Sequence, residues 1–505
     1  MTVASSDRAA EAHDVIIVGS GFGGLGMAIR LQQEGIDDFI LLERSDSIGG
    51  TWRDNTDPGA ACDVVSHVYS FSFEPKSDWS STYGKQQEIR GYIEACASKH
   101  RLHRKVRTDH DVTEARFDET TGTWTIHASN GRTFTTPVLI MAVGGLKDPA
   151  WAKLPGIEDF AGPQMHSSRW DHDLSLAGKR VGVIGTGASA IQFVPEVAPV
   201  AQHTTVFQRT APWVIPKGER NFLGIEKLAF RFVPGFRKAV RAREYLVMEA
   251  TFKLFFQSET PMTAIGQRVL RQFIRASVKD RTKRAAVTPD ITLGCKRVLK
   301  SSNWYPTIDR GDVALETTSI ERITPTGAEL TDGRTVEFDV LIHGTGFTVE
   351  QPVGDAQIIG RDGRQLAERW GNRPTAYLGV TVPGFPNMFM IQGPNTGLGH
   401  NSMIFMLEQG IEYALQALAL LRSASSPMTI EVDELAHDAF VEEIDERHTD
   451  AVWATGCSSW YLNAEGKNFT LWPGSTMEFR RRLRSFDVAS YEVRDVARGA
   501  QLPAA

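Results

Sequence analysis

Near its N-terminus the chain reads Val15-Ile16-Ile17-Val18-Gly19-Ser20-Gly21-Phe22-Gly23-Gly24, a β-branched run followed by glycines. The apolar run predicts a buried parallel strand, and the glycines predict a tight turn. A helical pattern follows the turn, and a second apolar run, Phe39-Ile40-Leu41-Leu42, ends at Glu43. This order of strand, turn, helix and strand predicts an α/β fold built on a parallel sheet.

The first glycine turn has the spacing of a dinucleotide-binding site. Gly19 makes the tight turn in such a site, Gly21 lets the backbone approach a pyrophosphate, and Gly24 allows close helix–strand packing. The helix N-terminus supplies N–H groups for the phosphates. Glu43 stands 19 residues after Gly24, where a carboxylate can accept hydrogen bonds from ribose hydroxyls. The first unit therefore predicts a site for FAD or NAD.

A second copy of this unit lies further along the chain. The strand-like run Val181-Gly182-Val183-Ile184 leads into Gly185-Thr186-Gly187-Ala188-Ser189-Ala190, and a second strand, Thr204-Thr205-Val206-Phe207, follows. Arg209 stands 19 residues after Ala190, at the position that an acidic residue holds in the first copy. A guanidinium there suits a 2′-phosphate, so the second copy predicts NADP. Two dinucleotides on one chain predict electron transfer, with FAD accepting hydride from NADPH.

Both copies continue with a matching hairpin signal. Asn130-Gly131 precedes the apolar run Val138-Leu139-Ile140, and Asp332-Gly333 precedes Val340-Leu341-Ile342. Both dipeptides favour hairpin turns, and the same distance separates each turn from a later glycine. We therefore predict two related Rossmann-like domains rather than two unrelated hairpins.

The domain boundaries follow from these two copies. We predict a discontinuous FAD-binding domain over residues 1–145 and 350–505, an NADP-binding domain over 146–216 and 291–349, and a helical insertion over 217–290. A basic helical face can contact a membrane surface. Pro234-Gly235 and Pro261 divide the insertion into short pieces, however, which favours a solvated helical lobe.

Composition excludes several classes of function. The 505 residues carry a net charge of -6 with a pI near 6.1, so no global basic footprint for nucleic acid is present. The four cysteines form no C-x-x-C and no zinc spacing, which argues against a dithiol redox centre and a metal site. Together with a polar N-terminus that lacks a targeting signal, they favour a cytoplasmic location.

The most apolar long stretch runs from Met403 to Leu421. It contains Glu408 and Glu412, and a carboxylate at the centre of a bilayer is costly. The stretch therefore predicts a buried helix rather than a membrane span.

A sequence fingerprint precedes the second glycine turn. Phe160, Gly162, His166, Trp170 and Asp171 match the pattern F-x-G-x-x-x-H-x-x-x-W-[PD]. The chain thereby resembles the type I Baeyer–Villiger monooxygenases over almost its whole length. His166 is interpreted as a structural residue of the connection between the two nucleotide domains, without a role in proton transfer.

Further stretches carry the same resemblance. They are Gly49-Gly50-Thr51-Trp52, which continues to Asp63; Gly344-Thr345-Gly346-Phe347, although His343 and Gly344 depart from the usual residues; Asn395 to Asn401, similar to the family's second flavin contact; and Gly456 to Tyr461, similar to its mobile C-terminal loop. A buried Trp–Tyr pair remains an equal interpretation of that last stretch.

The chemistry of the family calls for a fixed cation. A deprotonated flavin peroxide attacks the ketone and gives a tetrahedral alkoxide, so both species are anions that a permanent positive charge stabilises in a site without water. The resemblance implies that Arg297 is this catalytic cation and that Lys296 reaches the NADP 2′-phosphate. Asp63 is implied as the partner that orients Arg297.

The remaining cofactor contacts are implied by the same resemblance and by the two glycine turns. The predicted cofactor-binding residues are Gly19, Gly21, Phe22, Gly24, Glu43, Thr51, Trp52, Asp63, Tyr69, Val112, Gly185, Thr186, Gly187, Ala188, Ser189, Ala190, Gln192, Arg209, Thr210, Lys296, Arg297, Asn395, Met403 and Trp460.

The expected function is NADPH- and O2-dependent conversion of a ketone to an ester or lactone. A flavin monooxygenase that oxygenates nitrogen or sulfur would share every cofactor motif, and Trp170 is the residue that favours ketone chemistry. A flavin disulfide reductase is disfavoured because no C-x-x-C is present. A non-enzymatic nucleotide-binding protein would not consume NADPH in air.

Overall fold

A computed structural model describes residues 10–255, 260–349, 353–454, 456, 460–497 and 500–501 of the chain. Its centre is a five-stranded parallel sheet. In spatial order the strands are β20 (Met388–Met390), β8 (Val138–Met141), β2 (Val15–Val18), β3 (Phe39–Leu42) and β4 (Val106–Arg107). The two strands predicted from the first glycine unit are confirmed, and both are fully buried because helices cover one face and a second sheet covers the other.

A mixed sheet lies on one face of this parallel sheet. In spatial order its strands are β1 (Glu11–Ala12), β7 (Thr133–Thr136), β6 (Thr123–Ala128), β5 (Val112–Asp118) and β19 (Gln357–Ile359). The hairpin predicted at Asn130-Gly131 connects β6 to β7, and Gly131 has the positive φ of 80° that such a turn requires. Apolar residues of the two sheets form one continuous core between them.

The second unit repeats the parallel arrangement. In spatial order its strands are β14 (Val313–Glu316), β11 (His203–Phe207), β10 (Arg180–Ile184), β18 (Val340–His343) and β9 (Gln164–His166). Two small sheets accompany it: β15 (Ile320–Thr324), β16 (Gly327–Leu330) and β17 (Thr335–Glu337) in one, and β12 (Val214–Ile215) with β13 (Leu299–Lys300) in the other. Asp332-Gly333 forms the predicted hairpin turn between β16 and β17.

Helices cover both units. Those associated with the first unit are α1 (Phe22–Gln33), α2 (Thr51–Asp54), α3 (Gln86–Lys99), α10 (Leu366–Trp370), α11 (Met403–Ser423), α12 (Glu434–Thr449) and α13 (Thr476–Leu483). The second unit contains α4 (Ala190–Val197) and α9 (Trp304–Ile308). A three-stranded sheet of β21 (Met428–Val432), β22 (Tyr491–Asp495) and β23 (Ala500–Gln501) completes the described chain.

Helix α11 is the predicted buried helix. It is the one described helix that is long and apolar enough to cross a membrane, and 61% of its apolar window is buried in the fold. It packs against α1 and α13, and its Glu408 accepts a hydrogen bond from the Ser72 N–H at 2.5 Å. These contacts are those of a core helix.

The insertion consists of four helices: α5 (Gly224–Phe232), α6 (Phe236–Phe255), α7 (Pro261–Ser277) and α8 (Arg281–Val287). The expectation of short pieces is wrong for α6 and α7, which have 20 and 17 residues. Pro261 stands at the first position of α7, where proline is well tolerated, and Pro234-Gly235 lies between α5 and α6. The prolines therefore separate helices instead of shortening them. The domain boundaries themselves stay a prediction.

Candidate active site

The first glycine turn is shaped for close approach to a ligand. Gly19 has a φ of 103°, and a Cβ on Gly24 would lie 1.9 Å from the Gly19 carbonyl oxygen, so neither position accepts another residue without a shift. A Cβ on Gly21 would meet only the Gly50 Cα, at 3.7 Å. No side chain caps the N-terminus of α1. The turn thus offers free N–H groups beside an open backbone, which fits a pyrophosphate.

Glu43 follows β3 and is buried next to this turn. Its Oε2 accepts hydrogen bonds from the Ser20 N–H and hydroxyl at 3.0 and 2.6 Å. Its Oε1 accepts from the Ser45 N–H at 3.1 Å and from the Arg53 guanidinium at 2.9 Å. The carboxylate is therefore held at the edge where the adenosine ribose of a dinucleotide lies in this fold. Its contact with the ribose stays a prediction.

A second glycine pair packs on the first turn. The Gly49 N–H donates to the Ser20 carbonyl at 3.1 Å, and Thr51 begins the short helix α2. The Trp52 indole N–H donates to the Tyr69 hydroxyl at 3.0 Å, and Tyr69 packs edge-on against Phe22. The structure therefore brings the predicted residues Phe22, Thr51, Trp52 and Tyr69 together beside the first turn.

The second glycine turn has the same geometry. Gly185 has a φ of 105°, and a Cβ there would lie 2.5 Å from the Gly344 carbonyl oxygen. Gly187 faces open space, with that same oxygen 3.9 Å from where its Cβ would be. Ser189 precedes α4 without capping it through its side chain, and Ala190 begins the helix. The turn fits a second dinucleotide.

Arg209 and Lys296 lie close together beside this second turn. Burial lowers the pKa of Lys296, and the nearby positive charge of Arg209 lowers it further. In the part of the chain that the structure describes, neither side chain forms a hydrogen bond or an ion pair with a carboxylate. Two neighbouring cations without an anion between them fit a phosphate dianion. Thr210, also predicted here, accepts a hydrogen bond through its carbonyl from the Thr186 hydroxyl at 3.4 Å.

Arg297 forms a two-pronged ion pair with Asp63. Its Nη2 donates to Oδ2 at 2.7 Å and its Nε donates to the same oxygen at 3.1 Å, while Nη2 also reaches Oδ1 at 2.9 Å. The third nitrogen, Nη1, donates to the Leu398 carbonyl at 3.3 Å. Arg297 comes from the segment before β13, whereas Asp63 and Leu398 belong to loops of the first unit. The pair therefore lies where the two units meet.

The electrostatics of this pair keep both groups ionised. Burial acts to raise the pKa of Asp63, but the charges of Arg297 and Lys300 outweigh it and lower the pKa below its usual value. The Asp63 charge raises the pKa of Arg297 in turn. Tyr461 lies near the pair; burial raises its pKa to about 12, against the influence of Arg297. The site thus holds a permanent cation with a fixed orientation.

Sequence reasoning missed a group of residues from the insertion and from α11's approach. The Glu249 carboxylate accepts hydrogen bonds from the Asn401 amide at 2.6 Å and from the Thr476 hydroxyl at 2.7 Å, and it lies 3.3 Å from His400 Nε2. Phe252 stacks on the His400 ring with 3.7 Å between centroids. A spacing signal for these contacts does not exist, because more than 140 residues separate α6 from its partners.

The fingerprint residues have structural surroundings. His166 ends β9, pairs in register with His343 of β18 and packs against Trp151. Trp170 packs on Phe193 of α4. Phe160 packs on Phe338, and a Cβ on Gly162 would lie 2.4 Å from the Asp339 carbonyl oxygen. Asp171 accepts from the Asp173 N–H. These contacts agree with the interpretation of His166 as a structural residue.

Other predicted contacts are spread more widely. Gln192 bonds to both backbone groups of Ala61, which joins α4 to the loop that carries Asp63. The Asn395 amide donates to the Asn468 and Leu471 carbonyls, and Met403 begins α11. Val112 begins β5 and faces the core between the sheets.

The predicted C-terminal loop is described only in part. Cys457, Ser458 and Ser459 lie outside the described residues. Trp460 is exposed and Tyr461 is buried, with 4.5 Å between their ring centroids. The interpretation as a buried Trp–Tyr pair is therefore wrong for Trp460, whose cofactor contact stays a prediction.

Known proteins resemble the chain over nearly its full length. A Baeyer-Villiger monooxygenase from Pseudomonas aeruginosa is 43% identical over 495 residues, which cover 98% of this chain and 94% of the relative. A protein of the same name from Streptomyces coelicolor is 41% identical over 493 residues, which cover 97% of this chain and 94% of the relative. The pyridine nucleotide-disulphide oxidoreductase family matches residues 16–223.

Solved structures resemble the fold to the same extent. An oxidized steroid monooxygenase bound to NADP superposes with a TM-score of 0.84 at 29% identity, and the match covers 96% of this chain and 100% of the other. The resemblance includes both nucleotide-binding units and the insertion, because it spans the whole of that structure.

Proposed function

The chain belongs to the Baeyer–Villiger monooxygenases, and we propose that its Arg297–Asp63 pair is the centre of that family's reaction. The protein is an NADPH-dependent flavin monooxygenase that inserts one oxygen atom of O2 next to a ketone carbonyl. The product is an ester or a lactone. The observation that carries the proposed site is the two-pronged bond between Arg297 and Asp63, at the meeting point of the two nucleotide-binding units.

The cofactors of the enzyme are FAD and NADP. When bound, FAD supplies the activated oxygen and NADPH supplies the hydride. We assign FAD to the Gly19–Gly24 turn with Glu43, because that turn offers free N–H groups beside a buried carboxylate. We assign the 2′-phosphate of NADP to Arg209 and Lys296, because these two cations lack a carboxylate partner among the described residues.

Arg297 is the catalytic cation in this proposal. A guanidinium whose pKa is raised by Asp63 stays positive at every pH at which the protein is folded. It can therefore stabilise the alkoxide that forms when oxygen adds to the ketone carbonyl, without losing its proton to that alkoxide. Asp63 is a positioning residue: it fixes the plane of the guanidinium and leaves the Nη1 side free of any carboxylate.

Product analysis tests this function. Purified enzyme with NADPH in air is offered linear, cyclic, aromatic and steroidal ketones in parallel with amines and sulfides. The expected result is an ester or lactone from at least one ketone class, formed with matching NADPH consumption. NADPH loss alone is not sufficient, because release of hydrogen peroxide also consumes it. Oxygenated products from amines or sulfides only would contradict the proposal.

We propose a cytoplasmic location for the enzyme. Cys62 and Cys96 are free thiols, and burial raises the pKa of Cys62 to about 12, so this thiol is inert. Cys295, however, is disulfide-bonded in the structure, which the cysteine spacing did not indicate. Cell fractionation with an antibody against the chain tests the location.

A further inference from the structure

The helical insertion carries most of the exposed large apolar side chains. Of the 18 such residues in the described parts of the chain, 12 lie between residues 217 and 290. A soluble monomer rarely concentrates exposed apolar side chains in one region unless that region binds something. The activity described above does not use these side chains.

On α5 the exposed apolar residues form one face. Ile225, Leu228 and Phe232 are spaced three and four residues apart, and they are 74%, 58% and 66% exposed. This spacing places them on one side of a helix. Phe230, on another side, is buried against His67. The helix is therefore apolar both toward the fold and toward the outside.

Helix α6 repeats this division. Its Leu246, Val247 and Leu254 are exposed, whereas Phe252 is buried against His400 and Glu249 holds Asn401. Helix α6 contacts α5 on one side and α7 on the other. On α7, the exposed residues Met262, Ile265 and Val269 again share one face. We call the exposed apolar residues of α5, α6 and α7 the outer face of the insertion.

The insertion is also strongly basic. Residues 217–290 contain 16 Lys and Arg against 7 Asp and Glu, a net charge of +9 in a chain whose net charge is -6. Basic residues alternate with the apolar ones on the same helices. The Arg231 guanidinium lies over the ring of the exposed Phe232, 5.2 Å from its centroid, and Arg243 is itself exposed.

We propose that the outer face of the insertion docks on an anionic lipid surface. Helices that lie in a membrane interface present Leu, Phe and Val to the acyl region and reach the headgroups with Lys and Arg. The outer face has both features, and its charge is complementary to that of an anionic bilayer. The prolines that favoured a solvated lobe only separate the helices, so each apolar face stays intact.

Lipid vesicles test the proposal directly. The holoenzyme is sedimented with vesicles of equal parts phosphatidylcholine and phosphatidylglycerol, and with vesicles of phosphatidylcholine alone. We expect binding to the anionic vesicles that weakens with salt, and little binding to the neutral ones. No binding of the wild-type holoenzyme to anionic vesicles would overturn the proposal.

Substitutions assign the binding to the outer face. The double variant Leu228→Glu, Val247→Glu should lower the partition coefficient by at least about tenfold, and Arg243→Gln should lower it by about fivefold. The matched control is Leu435→Glu, because Leu435 is 80% exposed on α12, outside the insertion. FAD content and activity on a water-soluble ketone should be unchanged in all variants. Equal binding by the double variant and the control would overturn the assignment.

A second copy of the chain is the alternative occupant, since the remainder of the chain is acidic. Analytical ultracentrifugation without lipid separates the two cases. We expect the wild type and the double variant to sediment alike. A dimer that the double variant dissociates, together with no lipid binding, would assign the outer face to a dimer interface and overturn the proposal.

Discussion

Arg297 and Asp63 form a two-pronged ion pair although 234 residues separate them in the chain. Arg297 enters the site from the segment before β13, and Asp63 enters it from the loop after the Gly49-Gly50 turn. Both side chains are about a quarter exposed, at 28% and 20%, so the pair is open toward the side where the cofactors bind. One ion pair thus fixes the cation and also joins the two nucleotide-binding units.

Replacing Arg297 should separate oxygen insertion from cofactor binding. Arg297→Ala removes the cation that stabilises the alkoxide, and loss of one preorganised donor to an oxyanion costs about 2.7–4 kcal/mol, roughly 100- to 1000-fold in rate. Ester formation should fall by this factor while FAD stays bound. Stopped-flow reduction under anaerobic conditions, followed by mixing with O2 and ketone, should then show release of hydrogen peroxide.

The matched variant is Arg297→Lys. It keeps a positive charge but lacks the planar fork that bonds Asp63, so its ester yield should fall between those of the wild type and Arg297→Ala. An alanine variant that forms ester at the wild-type yield per NADPH would show that Arg297 is not the catalytic cation.

Asp63 should act through the orientation of Arg297. Asp63→Asn removes the charge but keeps the shape, and a hydrogen bond to a charged group contributes about 1.5–3 kcal/mol, or about 10- to 150-fold. We expect a loss in kcat for ester formation with little change in KM for the ketone. Because the pKa of Asp63 is lowered, its carboxylate is ionised throughout the neutral range. The pH profile of the variant should therefore keep the shape of the wild-type profile, and a lost acidic limb would show that Asp63 itself titrates.

Cofactor preference should depend on Arg209 and Lys296. Each alanine variant removes a charged contact to the 2′-phosphate, so NADPH efficiency should fall by about 10- to 150-fold while NADH efficiency changes little. Steady-state kinetics with both cofactors measure this. The control is Arg310→Ala, since Arg310 pairs with Asp312 before β14, at the opposite end of the sheet from Arg209. Equal losses with NADPH and NADH would contradict the assignment.

Local rules were sufficient for the fold and insufficient for part of the site. The strands Val15–Val18 and Phe39–Leu42 and both hairpin turns follow from β-branched runs and from Asn-Gly and Asp-Gly dipeptides, which act within a few residues. Glu249 and Phe252 could not be found this way, because their contacts with Asn401 and His400 depend on how α6 docks on the first unit. The outer face of the insertion was missed for a related reason: periodicity shows that a helix is amphipathic, but not whether anything covers its apolar side.

Stability should fall with pH because of two histidines at the seam between β9 and β18. His166 and His343 are register partners, and neither is exposed to solvent. Burial lowers the pKa of each to about 4, from an ordinary value of 6.5. The unfolded chain therefore binds protons that the folded chain refuses between these two values, and stability present above about pH 6.5 is lost as the pH falls toward 4.

The variant His343→Gln isolates this effect, because glutamine keeps a polar group near Gln164 but cannot take up a proton. At about pH 5 one buried histidine lowers the free energy of unfolding by about 2 kcal/mol relative to neutral pH. Urea unfolding at about pH 7.5 and about pH 5 should show a smaller loss of stability in the variant by this amount. The control His103→Gln replaces an exposed histidine and should leave the difference between the two pH values unchanged. If His343→Gln lost as much stability as the wild type between these two pH values, the folded protein would have to accommodate a proton at His343, and the histidine pair would not be the source of acid sensitivity.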